Sequence, residues 1–478
     1  MVKSTRGLFV FHRDLRIEDN RGINRATEMS DELYTCFIFT PEQVGQANVY
    51  RSDNAIQFMI ESLIELNSNI KSKGGELMCY YGDQITILRS IIQVLGITAI
   101  YFNRDYSPYA VKRDEATQKL CNDLGVVCTT FSDYCLYEPG TVVSDGSNMA
   151  YKKYTPFYNK VIQNDVKDTR IKRVFNFGKY TGSRISNKIS LQEAAKRFTD
   201  PNKDILVHGG RTRGKLLLTM ALRDQSDYDE RRDFFTHQTT HLSAYIKFGC
   251  ISIREVYHDV KRKFGINHGI IRELIWREFF AHVLFAYPEV VGLSYQPKFR
   301  KIQWSNNQTN IEKWKVGLTG YPLVDACMRQ MNTTGYMHNR GRMTVASFLI
   351  KTLLIDWRIG EQYFAQQLTD YDIASNNGNW QGISGTGVDM KPYFRDMNPW
   401  IQSYKYDIRS EYIKKWVPEL AYVDPSDIHK WDTMCENPKY KHIKYPKPIV
   451  NYDEQKVKMP TGEVHVYDKS GKYLRTEK

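Results

Sequence analysis

Short apolar runs alternate with amphipathic stretches along the first part of the chain. Five runs rich in β-branched and aromatic residues predict strands at Leu8–Phe11, Tyr34–Thr40, Leu77–Tyr81, Ala99–Asn103 and Val126–Phe131. Three stretches between them repeat apolar positions at helical spacing, at Ala55–Lys71, Thr86–Leu95 and Val111–Leu124. This alternation predicts an α/β domain with a doubly wound parallel sheet, in which ligands lie beyond the carboxyl ends of the strands.

Strand signals nearly disappear after about Gly209, where long helical patterns interrupted by Gly and Pro take over. The stretch from about Ile162 to His208 is polar and Lys-rich, which is typical of a linker between domains. We therefore expect an α/β domain at 1–135, a linker at 136–208 and a large all-α domain at 209–478. The Pro- and Lys-rich tail after about Val423 is expected to be irregular and to carry no site.

The bulk properties narrow the class of protein. A chain of 478 residues is too long for one core, and it contains no apolar run long enough to span a membrane. No basic segment followed by an apolar stretch begins the chain, so we expect a cytoplasmic or nuclear protein and not a secreted one. Eight cysteines are scattered without a CxxC pair, which predicts reduced thiols and no structural metal.

The charge balance indicates a polyanionic partner. The net charge is +13 and the pI is about 9.1, and basic surface binds nucleic acid by releasing counterions. A basic protein without such a partner explains the charge equally well. The aromatic content of 13% favours nucleic acid, because exposed rings beside basic groups stack on unpaired bases.

The densest candidate chemistry lies in "DYDIASNNGNWQGISGTGVDMKPYFR", residues 370–395. Asp370 and Asp372 can accept hydrogen bonds, and Asn376 can offer an amide to a heterocycle without adding charge. Arg395 suits a phosphate. A solvated loop between helices would be the better interpretation of an isolated D-x-D, but a second dense segment lies just upstream, at 317–364.

Two further helical patterns place polar groups on one face. In "RELIWREFF", Glu273, Trp276 and Arg277 share a face, which fits either a lined cavity or a core helix with an internal ion pair. Spacing alone favours the core helix. In "YMHNRGRM", Asn339 and Met343 lie four residues apart beside Arg342 and could meet the edge of a planar heteroaromatic ligand. Met343 as core filler is the alternative.

These segments, with "TTHLSAYIKFG" at 239–249 and "LFVFHRDLRIEDN" at 8–20, closely resemble the DNA photolyase/cryptochrome family in their order. The resemblance covers nearly the whole chain except a variable linker around 165–205 and the last few dozen residues. It implies a helical domain that holds a U-shaped FAD in a deep cavity and presents a basic face to UV-damaged DNA. It implies no metal, and we expect a monomer.

The resemblance also implies roles for individual residues. The predicted FAD contacts are Tyr228, Thr239, Thr240, His241, Leu242, Ser243, Arg277, Arg342, Asp370, Tyr371, Asp372 and Asn376. The predicted DNA-phosphate contacts are Arg232, Arg340 and Arg395. Glu273 is expected to hydrogen-bond the damaged bases and Trp276 to stack on them. Trp304, Trp357 and Trp380 match the family's electron relay, although nothing in their spacing shows one.

Three positions discriminate within the family. Asn339 and Met343 follow the pattern of members that repair cyclobutane pyrimidine dimers, whereas members acting on (6-4) photoproducts carry histidines there. Asn376, expected beside flavin N5, favours repair over signalling. One departure is Gly382, where dimer-repairing relatives commonly have a second stacking Trp or Tyr. The resemblance therefore predicts a carbon–carbon lyase in which light-excited, reduced FAD donates an electron that splits the dimer. At Gly382 the stacking wall of the cavity is either missing or supplied by another residue.

Three alternatives remain at this point. The first is a cryptochrome-type blue-light photoreceptor without repair. The second is a photolyase for (6-4) or single-stranded lesions. The third is a generic flavoprotein oxidoreductase, for which no nicotinamide site is found. The sheet domain could also hold an antenna chromophore, which could be a folate, a deazaflavin or a second flavin, or none at all.

Overall fold

The structure is a computed structural model that describes residues 5–146, 148–167, 174–180, 182, 184–389, 396–455, 464–467 and 473–477. The predicted phosphate contact Arg395 lies outside the described residues. Within them, an α/β domain is followed by a larger helical domain. The predicted fold class is therefore confirmed, while the domain limits at 135 and 208 stay predictions.

Five parallel strands form the centre of the α/β domain. They are β1 (Arg6–Phe11), β2 (Glu32–Phe39), β3 (Leu77–Tyr81), β4 (Ala99–Asn103) and β5 (Val127–Phe131). Their order in the sheet is β3-β2-β1-β4-β5, so the winding direction changes at β1, between β2 and β4. Every predicted strand is present, with small shifts at the ends.

Helices cover both faces of this sheet. They are α1 (Arg21–Glu28), α2 (Pro41–Val44), α3 (Asp53–Ser72), α4 (Gln84–Leu95) and α5 (Pro108–Leu124). Because side chains alternate along a strand, Phe9 and Phe11 of β1 join the core that includes α3. Leu8 and Val10 join the opposite core, which includes α4 and α5. Both faces of β1 are therefore buried, as its continuous apolar run requires.

The segment between the domains contains α6 (Tyr154–Val161) and α7 (Leu191–Phe198). Phe198 packs its ring against Phe39 and Tyr81 at the sheet, with centroids 5.4 and 5.0 Å away. Lys188 also bridges to Tyr80 of the edge strand β3. Despite its polar composition, this stretch packs on the α/β domain and covers part of its edge.

The helical domain starts with α8, and its described residues form fifteen α-helices. They are α8 (Arg211–Asp224), α9 (Tyr228–Arg231), α10 (Ser243–Lys247), α11 (Ile253–Phe264), α12 (Gly269–Ala286), α13 (Gln308–Val316), α14 (Pro322–Thr334), α15 (Asn339–Ser347), α16 (Trp357–Gln367), α17 (Ile373–Ser384), α18 (Pro399–Tyr406), α19 (Glu411–Trp416), α20 (Pro425–Ile428), α21 (Trp431–Met434) and α22 (Tyr452–Gln455). Short 3₁₀ turns at Pro288–Val290, Pro297–Phe299, Pro418–Leu420 and Pro438–Tyr440 and a π-helical turn at Phe348–Thr352 complete it.

The expectation of an irregular tail after Val423 is wrong. Three short helices lie there, and β6 (Val464–Tyr467) pairs antiparallel with β7 (Tyr473–Glu477). Aromatic residues among the lysines explain the order, because Trp431 is 1% exposed and packs against Tyr440 and Tyr445. The prediction gave too much weight to the Pro and Lys content and too little to these aromatic rings.

A fully buried ion network joins the two domains. Asp133, just after β5, accepts hydrogen bonds from Arg16 Nη2 at 2.6 Å and from Arg254 Nη2 of α11 at 2.7 Å. Arg254 also pairs with Asp19 at 3.3 Å. Burial acts to raise the pKa of Asp133, but the two guanidinium groups outweigh it and lower that pKa. The α/β domain is thus fixed against the helical domain by charges that water does not reach.

Candidate flavin and DNA site

The carboxylate of Asp370 lies at the centre of the predicted FAD contacts. It accepts hydrogen bonds from Arg342 Nη2 of α15 at 2.9 Å and from Ser243 Oγ of α10 at 2.6 Å. Burial opposes ionisation, but Arg342 and then Ser243 outweigh it and lower the pKa of Asp370. Three segments that are far apart in sequence therefore converge on one charged group.

Asp372 begins the next helix and links it to the other domain. Its side chain caps α17 by accepting from the Ser375 amide at 3.1 Å, and it pairs with Arg13 at 3.0 Å. Burial would raise the pKa of Asp372, yet Arg13 and Arg277 lower it to about 2. Arg13, at the end of β1, was not predicted as a site residue.

Two buried polar atoms at this place have no partner among the described residues. They are Oδ1 of Asp370 and Nδ1 of His241. The backbone of His241 is left-handed, with φ of 51°, and burial lowers the pKa of its ring, which keeps the ring neutral. Buried polar atoms are normally satisfied. An unpaired acceptor and an unpaired ring nitrogen therefore fit a bound ligand that offers polar hydrogens and lone pairs, as FAD does.

The remaining predicted phosphate-side contacts flank this point. Leu242 is 2% exposed and precedes α10, whereas Thr239 and Thr240 are half-buried and open to a ligand. Tyr228 is the first residue of α9, and the Arg232 guanidinium lies over its ring, 5.6 Å from the ring centroid. Ser243 joins this segment to Asp370, and the contacts of 239–243 with a cofactor remain a prediction.

Asn376 lies one turn into α17 and is oriented by a buried acid. Its Nδ2 donates to Glu361 at two oxygens, Oε1 and the backbone carbonyl, each at 3.2 Å. Tyr371 Oη donates to the same carboxyl at 3.3 Å. Burial raises the pKa of Glu361 to about 7, against the lowering effect of these hydrogen bonds. Glu361 was missed from sequence because its partner lies on another helix.

Glu273 and Trp276 lie one turn apart on α12, and Arg277 was predicted to share their face. Glu273 forms an ion pair with Arg232. Trp276 stacks on Tyr154 of α6, with ring centroids 3.6 Å apart and planes at 4°. Arg277 points to the other domain and donates to the carbonyl of Tyr134 at 2.8 Å. Tyr154 had no signal in the sequence that marked it as a site residue.

Asn339 and Met343 occupy the first turns of α15. Asn339 is exposed and its Nδ2 lies 3.8 Å from the Met343 sulfur, so the two side chains form one patch. At Gly382, on α17, an added Cβ would meet no atom of the described residues within 4 Å. Whether the cavity wall is open on this side stays a prediction.

The three relay candidates lie in one hydrophobic cluster of the helical domain. Trp380 is 3% exposed and packs against Gly360, where a Cβ would lie 2.2 Å from the indole. Its ring neighbours are Phe364 and Trp314, with centroids 5.0 and 6.4 Å away. Within the described residues, Trp357 and Trp304 make no ring contact with Trp380. The relay remains a prediction, and Trp314 is a neighbour that spacing did not indicate.

The carboxyl ends of the strands form a second polar edge. His12 and Arg13 follow β1, and Asp105 follows β4 at 3.5 Å from Arg13. Both ring nitrogens of His12 lack partners among the described residues. Burial, with Arg113, lowers the pKa of His12, and burial with Arg13 lowers the pKa of Lys247 to about 7. This edge is the switch point at which doubly wound sheets bind ligands.

Comparison with known proteins defines the class. Residues 270–462 match the FAD-binding domain of DNA photolyase, and residues 8–172 match DNA photolyase. A deoxyribodipyrimidine photo-lyase from Halobacterium salinarum is 32% identical and covers 94% of this chain and 97% of its own length. This two-domain chain with a flavin-type site therefore belongs to the DNA photolyase family, and the predicted family is confirmed.

Solved structures agree with this assignment. An archaeal photolyase from Sulfolobus tokodaii, with two FAD molecules, has a TM-score of 0.83 at 38% identity and covers 94% of this chain and 97% of its own. A class III photolyase from Agrobacterium tumefaciens has a TM-score of 0.87 at 31% identity over 95% and 96%. A Synechocystis cryptochrome has a TM-score of 0.85 at 27% identity over 95% and 98%. The fold is thus shared with both repair enzymes and a cryptochrome.

None of the helices in the described part of the chain is long and apolar enough to cross a membrane. Across those same residues, no His, Cys, Asp and Glu side chains are grouped to hold a metal ion.

Proposed function

We propose that this protein is an FAD-dependent lyase that uses blue light to split cyclobutane pyrimidine dimers in UV-damaged DNA. The observation that carries the proposal is the convergence of Asp370, Arg342 and Ser243 beside two unpaired buried atoms, in a chain similar over nearly its full length to deoxyribodipyrimidine photo-lyases. When bound, FAD supplies the electron that light makes available. The protein's own residues bind and orient the cofactor and the lesion, and they distinguish damaged from undamaged DNA.

The flavin-side residues have separate tasks. Asp370, held ionised by Arg342, keeps one buried oxygen ready to accept a hydrogen bond from the cofactor. Asn376 places a neutral amide in the site, fixed by Glu361. A neutral amide adds no charge that would favour protonation of the cofactor beside it. This pattern supports repair over a light-sensing role.

The lesion-side residues form a surface for a flipped-out dimer. A damaged pair stacks poorly and is easier to extrude from the duplex. Trp276, backed by Tyr154, offers a fixed aromatic plane, and Asn339 with Met343 offers an amide and a thioether. Glu273 can accept a hydrogen bond from a pyrimidine N3–H, and when protonated it can donate one to a pyrimidine carbonyl. The second hydrogen bond strengthens as negative charge develops on that carbonyl, so it acts on the reaction more than on binding.

The deciding experiment illuminates the reduced, FAD-loaded protein with blue light and scores restored thymines. Dimer and (6-4) substrates are compared in duplex and in single strands. Dimer repair confirms the proposal, and repair of only the (6-4) lesion contradicts the interpretation of Asn339 and Met343. A normal response of the flavin to light without repair of either lesion would favour a cryptochrome function, which the Synechocystis likeness keeps open.

We further propose that the switch-point edge holds a second, light-harvesting chromophore. Arg13, Lys247 and the unpaired ring of His12 form a polar edge that can hydrogen-bond a planar heteroaromatic molecule. The Sulfolobus tokodaii photolyase, at 38% identity, contains two FAD molecules. The test is the fluorescence excitation spectrum of the purified protein. A band from a second chromophore that His12→Ala removes, with FAD content unchanged, supports the proposal, and a spectrum of FAD alone contradicts it.

A further inference from the structure

Two arginines predicted to bind DNA phosphates are engaged by carboxylates in this structure. Arg232, directly after α9, forms an ion pair with Glu273 of α12. Arg340 of α15 forms one with Asp233, the residue next to Arg232. These partners are not incidental surface acids, because Glu273 is itself the group predicted to recognise the damaged bases. Arg232, predicted to bind phosphate, and Glu273, predicted to bind the lesion, are therefore paired with each other.

The first pair lies between the predicted DNA face and the predicted lesion cavity. The Arg232 side chain is 29% exposed and that of Glu273 is 37% exposed, so a phosphate can approach the guanidinium from solvent. Trp276 lies one turn after Glu273 on the same helix. Burial acts to lower the pKa of Arg232, but Glu273 outweighs it and the pKa is raised, so the guanidinium stays charged with either partner.

We propose that Arg232 exchanges partners when damaged DNA docks: it leaves Glu273 for a backbone phosphate, and the released Glu273 side chain turns to the lesion. The inference rests on the proposed DNA-repair function. One anion replaces another around the guanidinium, and no covalent bond changes. On undamaged DNA the released carboxylate gains no lesion contact, so the ion pair competes with non-specific binding. The Arg232–Glu273 ion pair thereby helps the protein to discriminate damaged from undamaged DNA.

The proposal makes an unusual prediction for Glu273→Gln. Losing the carboxylate removes the competitor for Arg232, so undamaged duplex should bind about two- to fivefold tighter, the range set by a partly exposed ion pair. The number of phosphate contacts does not change, so the slope of log affinity against log salt stays as in the parent protein. Arg232→Ala should instead reduce the magnitude of that slope by about 0.9, because one phosphate contact is lost.

The measurement is fluorescence anisotropy of the FAD-loaded protein with undamaged and dimer-containing duplexes over a salt series. Asp227→Asn is the matched control, because it removes one acid from the same region and its partner Arg231 is not a predicted site residue. This control should change the affinity for undamaged DNA much less than Glu273→Gln. The flavin spectrum of each variant reports whether the site is intact.

Opposite slopes would overturn the inference. If Arg232 stays on Glu273 in the complex, Arg232→Ala leaves the slope unchanged and Glu273→Gln steepens it by about 0.9, because a new phosphate contact becomes available. Arg232→Ala alone decides the matter if Glu273→Gln does not fold. Absence of dimer repair in the parent protein, with normal salt-dependent DNA binding, would refute the proposed function and leave the exchange on DNA standing.

Discussion

Gly382→Trp tests whether the lesion cavity lacks one wall. Gly382 is half-buried on α17, and in the described part of the chain no atom lies within 4 Å of a Cβ placed there. Dimer-repairing members of the family commonly carry an aromatic residue at this position. Because the described residues leave room for a side chain to start here, we expect an introduced indole to provide a second stacking surface for the flipped lesion.

The expected gain follows from the stack and its cost. An aromatic–base stack is worth about 1–3 kcal/mol. Ordering the new side chain in the complex costs about 0.5–1.5 kcal/mol. A net gain of about 1 kcal/mol corresponds to about fivefold tighter binding of dimer-containing DNA. Undamaged duplex has no flipped base to stack, so its affinity should stay unchanged.

The assay is equilibrium binding to the two duplexes in the dark, with two control variants. Gly382→Ala adds a Cβ without a ring and should change neither affinity. Gly378→Ala, one turn earlier, should weaken lesion binding, because its Cβ would lie 2.1 Å from Phe280, which packs on Trp276. The reasoning fails if Gly382→Trp weakens dimer binding, which would mean another side chain fills that space, or if it tightens both duplexes equally.

Three further changes test other parts of the structure. Asp133→Asn leaves buried Arg16 and Arg254 without their counter-charge, so urea denaturation should show a loss of about 3–5 kcal/mol, against less than about 1 for Asp227→Asn. Glu361→Gln should flatten the dependence of stability on pH. The pKa of Glu361 is raised by burial from 4.5 to about 7, so the native state holds an extra proton and wild-type stability falls as pH rises through this window, by at most about 3 kcal/mol. Trp380→Phe should block photoreduction of oxidised flavin with an external donor but preserve repair after chemical reduction, and an unchanged photoreduction rate would make Trp380 a packing residue.

The sheet domain could be predicted because its information is local. Strands β1 to β4 are mostly buried apolar runs, and the helices α3, α4 and α5 begin at the capping residues Ser52, Asp83 and Ser107. Those signals lie within a few residues of the element they define. The prediction for the tail was wrong for the opposite reason, because the order around Trp431 comes from tertiary packing of aromatic rings and not from local propensity.

The site could be predicted only where residues already lie together in sequence. Asp370, Asp372 and Asn376 belong to one segment, and resemblance to a family gave them a meaning that spacing alone did not. Their partners could not be found in the same way. Arg13 lies 359 residues from Asp372, and Tyr154 comes from a stretch whose composition indicated only a linker. Pairing of this kind depends on how the domains dock.

That docking has a consequence for how the flavin site is held. Asp372 caps α17, and one turn later the same helix carries Asn376. Because Arg13 fixes the Asp372 carboxylate from the end of β1, the start of α17 is anchored to the α/β domain. The buried network at Asp133 holds that domain against α11 from another side. The position of the amide predicted to face the flavin is therefore set by both domains together, so the α/β domain supports the site directly, whatever chromophore its own edge binds.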